Sequence, residues 1–281
     1  MKKSYSQINP NDHFKGSDHK IKDKVMTIAP HSPRFDQLSV ALASRIDQPL
    51  LGQLTQKLQA PILQEFCQNM QPRLEKKQAI ALDGDISAAA QILAHLYQTP
   101  IADASILVAI TEEAKPRLLL TRRATHLNSH AGEVSCAGGK FETGDGNNVV
   151  TALREACEET ALPPSCVKII GQLPPQLSKS GLSVRPIVAL IDPDLVLVPE
   201  LGEIARIFWA DFTALIHQPV EEYRIRYPIQ GAPTTLVTPS FVIDGETVWG
   251  LTGRVIASLL EVGFDRKLDW YYRLDPKIPN R

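Results

Sequence analysis

Residues 138–162 read GGKFETGDGNNVVTALREACEETAL, and the core of that run is Arg154-Glu155-Ala156-Cys157-Glu158-Glu159. On a helix, spacings of three and four residues place Glu155, Glu158 and Glu159 on one face. Like charges so placed repel, and by themselves they lend a helix no support. A hard divalent cation turns that repulsion into binding, because Mg²⁺ prefers carboxylate oxygens and commonly shares them with substrate phosphates. The plain alternative is a solvated acidic face. The segment in front of the helix argues against it. Gly138-Gly139, Gly144-Asp145-Gly146 and Asn147-Asn148 run directly into the acids. Glycines let a backbone approach closely and present N–H groups to an anion, and Asn147 or Asn148 is suited to cap the helix. Val149, Val150, Leu153, Ala156, Cys157 and Leu162 supply an apolar side. The pattern predicts a helix over 148–161 that carries a metal-dependent site for phosphate chemistry.

This stretch resembles the signature of the Nudix hydrolases, Gly-x5-Glu-x7-Arg-Glu-U-x-Glu-Glu-x-Gly-U, where U is a bulky apolar residue. Gly139, Arg154, Glu155, Glu158, Glu159 and Leu162 fall on matching positions, and Asp145 stands where the early acid is expected. Eight residues rather than seven separate Asp145 from Arg154, Ala156 fills a bulky apolar slot, and Ala161 replaces the late glycine. The extra residue and Ala156 are similar to the coenzyme A pyrophosphatase branch. That branch has an upstream pattern, Leu-Leu-Thr-x-Arg-Ser/Ala-x3-Arg-x3-Gly-x3-Phe-Pro-Gly-Gly. Leu119, Leu120, Thr121, Arg123, Ala124, Gly132, Gly138 and Gly139 match it. Asn128 replaces its second arginine and Cys136-Ala137 its Phe-Pro. An arginine lost there removes a planar fork suited to phosphate, and a lost proline loosens the loop before the glycines.

The resemblance implies an α/β/α sandwich around a mixed sheet, and hydrolysis of a nucleoside diphosphate linked to another moiety. Coenzyme A or a derivative, cut to 3′,5′-ADP and 4′-phosphopantetheine, is the leading substrate. The same chemistry on ADP-ribose, dinucleotides or nucleoside triphosphates is the alternative. A non-catalytic nucleotide-binding module is an alternative of another class, which retention of all three glutamates disfavours. Glu155, Glu158 and Glu159 would hold Mg²⁺ or Mn²⁺. Arg154 would orient a glutamate by an ion pair, and Asp145 would fix the loop. Glu158 and Glu203 are candidates for the general base, and Glu133 is a third acid near the glycines. Arg123, Gly138 and Gly139 are the candidate substrate-binding residues. Strand alternation turns Arg122 and Arg123 to opposite faces, so one of the two at most serves the site. His126 and His130 flank the loop, and Lys179-Ser180-Gly181 and Arg185 lie where a substrate loop is expected.

Outside the signature, the composition excludes more than it assigns. A net charge of −1 gives no global field for nucleic acid or a membrane surface. No apolar run approaches the ~20 residues that span a bilayer. The residues after Lys2-Lys3 lack the apolar core of a secretory signal, so a cytoplasmic location is expected. Cys67, Cys136, Cys157 and Cys166 form no CxxC pair and are expected to be reduced, with Cys157 a packing residue rather than a nucleophile.

Residues 1–35 read as a polar flexible arm and 36–100 as a helical extension. The hydrolase domain is expected over 101–265 and a tail over 266–281. In the extension, Leu38, Leu42, Ile46 and Leu50 recur at helical spacing, Pro61 starts another helix to about Met70, and Asp85 caps a third over 86–98. Packing on the domain is the default for such stripes, and a homodimer contact is another use. Strands are expected at 105–110 and 117–121, joined as a hairpin, and at 167–173, 183–191 and 204–209. Residues 234–237 and 241–249 are expected to pair, the latter with an Asp244-Gly245 turn, before a closing helix at 252–262.

Overall fold

The structure is a computed structural model that describes Leu58 and residues 60–76, 101–229 and 232–275. The expected arm and the helices expected over 36–58 and 86–98 lie outside these residues, Leu58 excepted. The sheet is built around β1 (Ala104–Thr111) and β2 (Arg117–Arg123), an antiparallel hairpin with Ile110 opposite Leu118. On its other side β1 runs parallel to β7 (Ser183–Ile191), which pairs antiparallel with β5 (Val167–Gln172). β3 (Val134–Ser135) and β8 (Ile204–Asp211) pair with β2, β4 (Gly138–Lys140) with the start of β1, and β6 (Gln176–Leu177) with β7. The sheet is mixed, as expected.

Alternation along the strands divides the core into two layers. Leu107, Ala109, Leu119, Ile187 and Ala189 face Val149, Val150, Leu153 and Ala156 of helix α2 (Asn148–Thr160). Val108, Ile110, Leu118, Leu120, Val188 and Leu190 face the opposite way, onto α1 (Pro61–Lys76) and α4 (Gly250–Phe264). A short helix α3 (Phe212–His217) follows β8. Helices cover both faces, which gives the α/β/α sandwich. Helix α1 is seated by Phe66, whose ring packs edge-on to Phe212 and stacked on Phe264. Gly263 makes room for it: a Cβ there would lie 2.2 Å from the ring. Asn69 Nδ2 donates to the Gly263 carbonyl at 2.6 Å.

One part of the topology differs from the sequence expectation. Residues 234–237 and 241–249 are not two paired strands. A single strand, β10 (Ala232–Ile243), continues through both and turns at Asp244-Gly245 into β11 (Glu246–Val248). Its long partner, β9 (Glu221–Ile229), and the short β12 (Arg273–Leu274) were not anticipated. β10 contains Pro239, which faces Glu222 within a nine-residue antiparallel register.

The ends of α2 are set by short-range chemistry. The Asn147 side chain accepts from the N–H groups of Val149 and Val150 at 2.9 and 3.0 Å, which fixes it as the N-cap. Asn148 exchanges two hydrogen bonds with the Ala102 backbone and ties the helix to the start of β1. The helix ends at Ala161, held at φ 55°, ψ 24°, the left-handed conformation that suits glycine. The signature's late glycine is thus a C-cap, and this chain keeps the conformation without the residue. Ala161→Gly should therefore stabilise the protein by about 0.5–1 kcal/mol, read as a raised midpoint in urea. Gly263→Val should cost ~2 kcal/mol by overpacking Phe66, lowering the midpoint without changing catalysis per folded molecule.

Candidate active site

Helix α2 carries Arg154 and the three glutamates to the strand and loop at 138–145. Arg154 is buried and all its contacts are internal. Its Nε and Nη2 grip Asp145 at 2.8 and 3.1 Å, Nη2 also donates to the Lys140 carbonyl at 3.0 Å, and Nη1 meets Glu155 at 2.8 Å and Glu158 at 3.0 Å. Asp145 is fully buried and accepts further from Thr151 Oγ1 at 3.0 Å and the Glu142 N–H at 2.9 Å. Burial alone would lower the arginine pKa, but the hydrogen bonds and charges of Asp145 and Glu155 outweigh it and hold the guanidinium above its usual value. The sequence reading expected an ion pair from Arg154 to one glutamate; the guanidinium meets two of them, Glu155 and Glu158, besides Asp145. Thr151 and the Lys140 carbonyl, which complete it, left no signal, because a hydroxyl and a backbone oxygen have no characteristic spacing.

Glu155 lies over Gly139, so closely that a Cβ there would sit 2.5 Å from its carboxylate. Burial raises its pKa, opposed by Arg154 and reinforced by the charges of Glu158 and Asp145. Glu159 is buried. One oxygen accepts the Gly138 N–H at 3.0 Å, and the other is 3.5 Å from Arg123 Nη1. Burial pushes the Glu159 carboxyl up to about 7; the Gly138 N–H and Arg123 oppose the rise, while Glu155 and Glu203 add to it. Glu158 is the exposed member, half accessible and bonded to Arg154 alone among its described contacts.

The rest of the constellation sorts as alternation requires. Arg123 turns to Glu159 and Glu203, the latter at 3.8 Å, whereas Arg122 turns to Glu246 at 3.4 Å on the other side. Glu203 is delivered by the segment 192–203. There the N–H groups of Val198 and Glu200 bond the carbonyls of Thr160 and Glu159 at the end of α2. The Glu203 carbonyl then accepts the Ala124 N–H at 2.7 Å. Glu133 bonds His130 at 2.7 Å and His126 contacts the Gly202 carbonyl at 3.1 Å, so neither histidine is aimed at the helix acids. Arg185 is buried beside Gln172 at 3.3 Å. Burial, with Glu159 adding, pushes the Cys136 thiol up to about 12. Burial, with Glu158 adding, also raises Cys157. Neither is a thiolate nucleophile near neutral pH.

The donor set fits a hard cation. It is all oxygen, it includes a buried carboxyl that gains from a positive neighbour, and Gly139 leaves the space that Glu155 needs. Among the described residues no three acid, histidine or cysteine side chains converge closely enough to hold an ion as they stand. Arg154 pairs with Glu155 and Glu158, and Arg123 lies beside Glu159. Among the described residues no helix is long and apolar enough to cross a membrane.

Comparison with known proteins agrees with this architecture. The family model for the NUDIX domain matches residues 102–228. The uncharacterized Nudix hydrolase NudL of Escherichia coli K12 is 36% identical over 165 residues, 57% of this chain and 82% of that protein. Its namesake in Shigella flexneri serotype 5b is 33% identical over 192 residues, 66% of this chain and 96% of that protein. Among solved structures, a C. elegans Ap4A hydrolase binary complex is similar at 19% identity and a TM-score of 0.35, covering 41% of this chain and 83% of that one. With the signature helix and the two NudL relatives in agreement, the chain belongs to the Nudix hydrolases, enzymes that cut pyrophosphate bonds.

Proposed function

We propose that the chain hydrolyses the pyrophosphate of a nucleoside diphosphate linked to a second moiety, with coenzyme A or a derivative as substrate. The products are 3′,5′-ADP and 4′-phosphopantetheine. The observation that supports the site most directly is the coupling of acids to loop: Glu159 bonds the Gly138 N–H while Glu155 lies on Gly139. Glu155, Glu158 and Glu159 would hold Mg²⁺ or Mn²⁺. When bound, the ion supplies neutralisation of phosphate charge and activation of water.

The chain's own residues position and accept. Arg154 is a positioning residue, because its guanidinium is spent on Asp145, Glu155, Glu158 and Lys140. Arg123 is the substrate-facing cation. Its contacts to Glu159 and Glu203, at 3.5 and 3.8 Å, are long enough to yield to a phosphate. Water attacks phosphorus, the bridging P–O bond breaks, and a carboxylate takes the water's proton. Glu203 and Glu158 are the two exposed acids suited to that role. Coenzyme A is favoured by the match of Leu119-Leu120-Thr121, Arg123 and Gly132 to the branch pattern. ADP-ribose and dinucleotides remain the competing substrates, because Asn128 stands where that pattern has arginine.

Incubation with coenzyme A, ADP-ribose, dinucleotides and nucleoside triphosphates, with Mg²⁺ or Mn²⁺ and product masses as the readout, should show cleavage of coenzyme A first. Tight binding without turnover of any of them would indicate a binding module. Glu158→Gln and Glu159→Gln should each lower turnover at limiting metal by about 100-fold or more, since ~1.4 kcal/mol corresponds to each decade. Near wild-type rates in either would remove that residue from the ligand set. Asn128→Arg should lower KM for coenzyme A and leave ADP-ribose kinetics unchanged. The raised pKa of Glu159 has a defined sign. Its carboxyl holds a proton below about 7 and must lose it to bind metal. Mg²⁺ affinity measured by calorimetry should therefore fall as pH drops through that value.

A further inference from the structure

The stretch 135–139, Ser-Cys-Ala-Gly-Gly, reaches the site with no bulky side chain and no proline to hold it. Hydrogen bonds hold it instead. The Val134 carbonyl accepts from Thr252 Oγ1 at 2.8 Å, across 118 residues of sequence. The Ser135 carbonyl accepts from Thr121 Oγ1 at 3.1 Å, and the Ala137 carbonyl from the Leu107 N–H at 2.8 Å. The next N–H, that of Gly138, is the one that holds Glu159 at 3.0 Å.

Of these anchors, only Thr252 comes from the layer on the opposite face of the sheet. It is buried, in the first turn of α4. That helix is itself wedged in place. Phe66 of α1 seats against Gly263, and Trp270 packs so closely on Gly253 that a Cβ there would lie 2.4 Å from its ring. We infer that Thr252 is a positioning residue of the active site: by fixing the Val134 carbonyl it sets the Gly138 N–H and so the direction of the Glu159 carboxylate. Through this hydroxyl, together with the packing of Val134 and Cys136 in the same core cluster, the α1–α4 layer bears on the metal-binding helix across the sheet. The inference rests on the reading of Glu159 as a metal ligand.

Its test uses the full chain and Mn²⁺ alone as probe, with calorimetric affinity, thermal midpoint and steady-state kinetics as readouts. Thr252→Val removes the hydroxyl at nearly constant volume, and Thr252→Ser restores it. Thr252→Val should weaken Mn²⁺ binding about tenfold, as loss of a ligand-orienting contact does, and should lower kcat more than it raises KM. Thr252→Ser should bind Mn²⁺ like the parent protein. Ser240→Ala removes another hydroxyl–backbone bond, from Ser240 Oγ to the Glu221 carbonyl at 3.2 Å; it should shift the midpoint and leave Mn²⁺ affinity unchanged. If Thr252→Val loses only thermal stability and keeps parental Mn²⁺ affinity, the inference is overturned. Should that variant not fold, Thr252→Ala, which also lacks the hydroxyl, carries the same expectation and the same refutation. Glu159→Gln separates the two claims. If it binds Mn²⁺ normally, the ligand assignment itself has failed; if it loses Mn²⁺ while Thr252→Val does not, only the role of Thr252 has.

Discussion

A buried guanidinium must be neutralised and hydrogen-bonded on every side, and the geometry of this site follows from meeting that requirement at Arg154. Isolated burial of such a charge would cost several kcal/mol. Asp145 answers it with both carboxylate oxygens, Lys140 with its carbonyl, and Glu155 and Glu158 with one oxygen each. The pairing folds the loop 140–146 back onto the helix. Asp145 in turn gathers Thr151 and the Glu142 N–H. A cluster of acids that would otherwise repel is thereby arranged around a cation that cannot leave.

The second guanidinium differs in the right way for function. Arg123 is partly exposed and holds Glu159 and Glu203 only at long range. One arginine is fixed scaffold and the other is free to exchange partners. That division explains why the signature arginine reads as structural although it lies beside three glutamates. It also places the loop 192–203 in the account. Its backbone caps the end of α2, and the same stretch ends at Glu203 beside Arg123.

Much of this was legible in the sequence, because it is written at short range. Helical spacing put Glu155, Glu158 and Glu159 together, alternation separated Arg122 from Arg123, and apolar runs located the five main strands. Gly139 was legible as a glycine, but its reason, the Glu155 carboxylate lying over it, needed coordinates. The departure at Ala161 was visible, while its left-handed backbone was not. Long-range features stayed hidden. Strand β9 alternates Tyr223, Ile225 and Tyr227 among charges, yet its partner is defined only by the register with β10. Thr252 is an ordinary threonine until the fold brings it to Val134.

The central claim is hydrolysis of the coenzyme A pyrophosphate at a site built on Glu155, Glu158 and Glu159. Its most direct test is the mass of the products formed from coenzyme A in ¹⁸O-labelled water, with and without Mg²⁺. The account predicts 3′,5′-ADP and 4′-phosphopantetheine, one of them carrying a single heavy oxygen, and only when metal is present. Intact coenzyme A under all conditions, or release of inorganic phosphate in place of those two products, would contradict it.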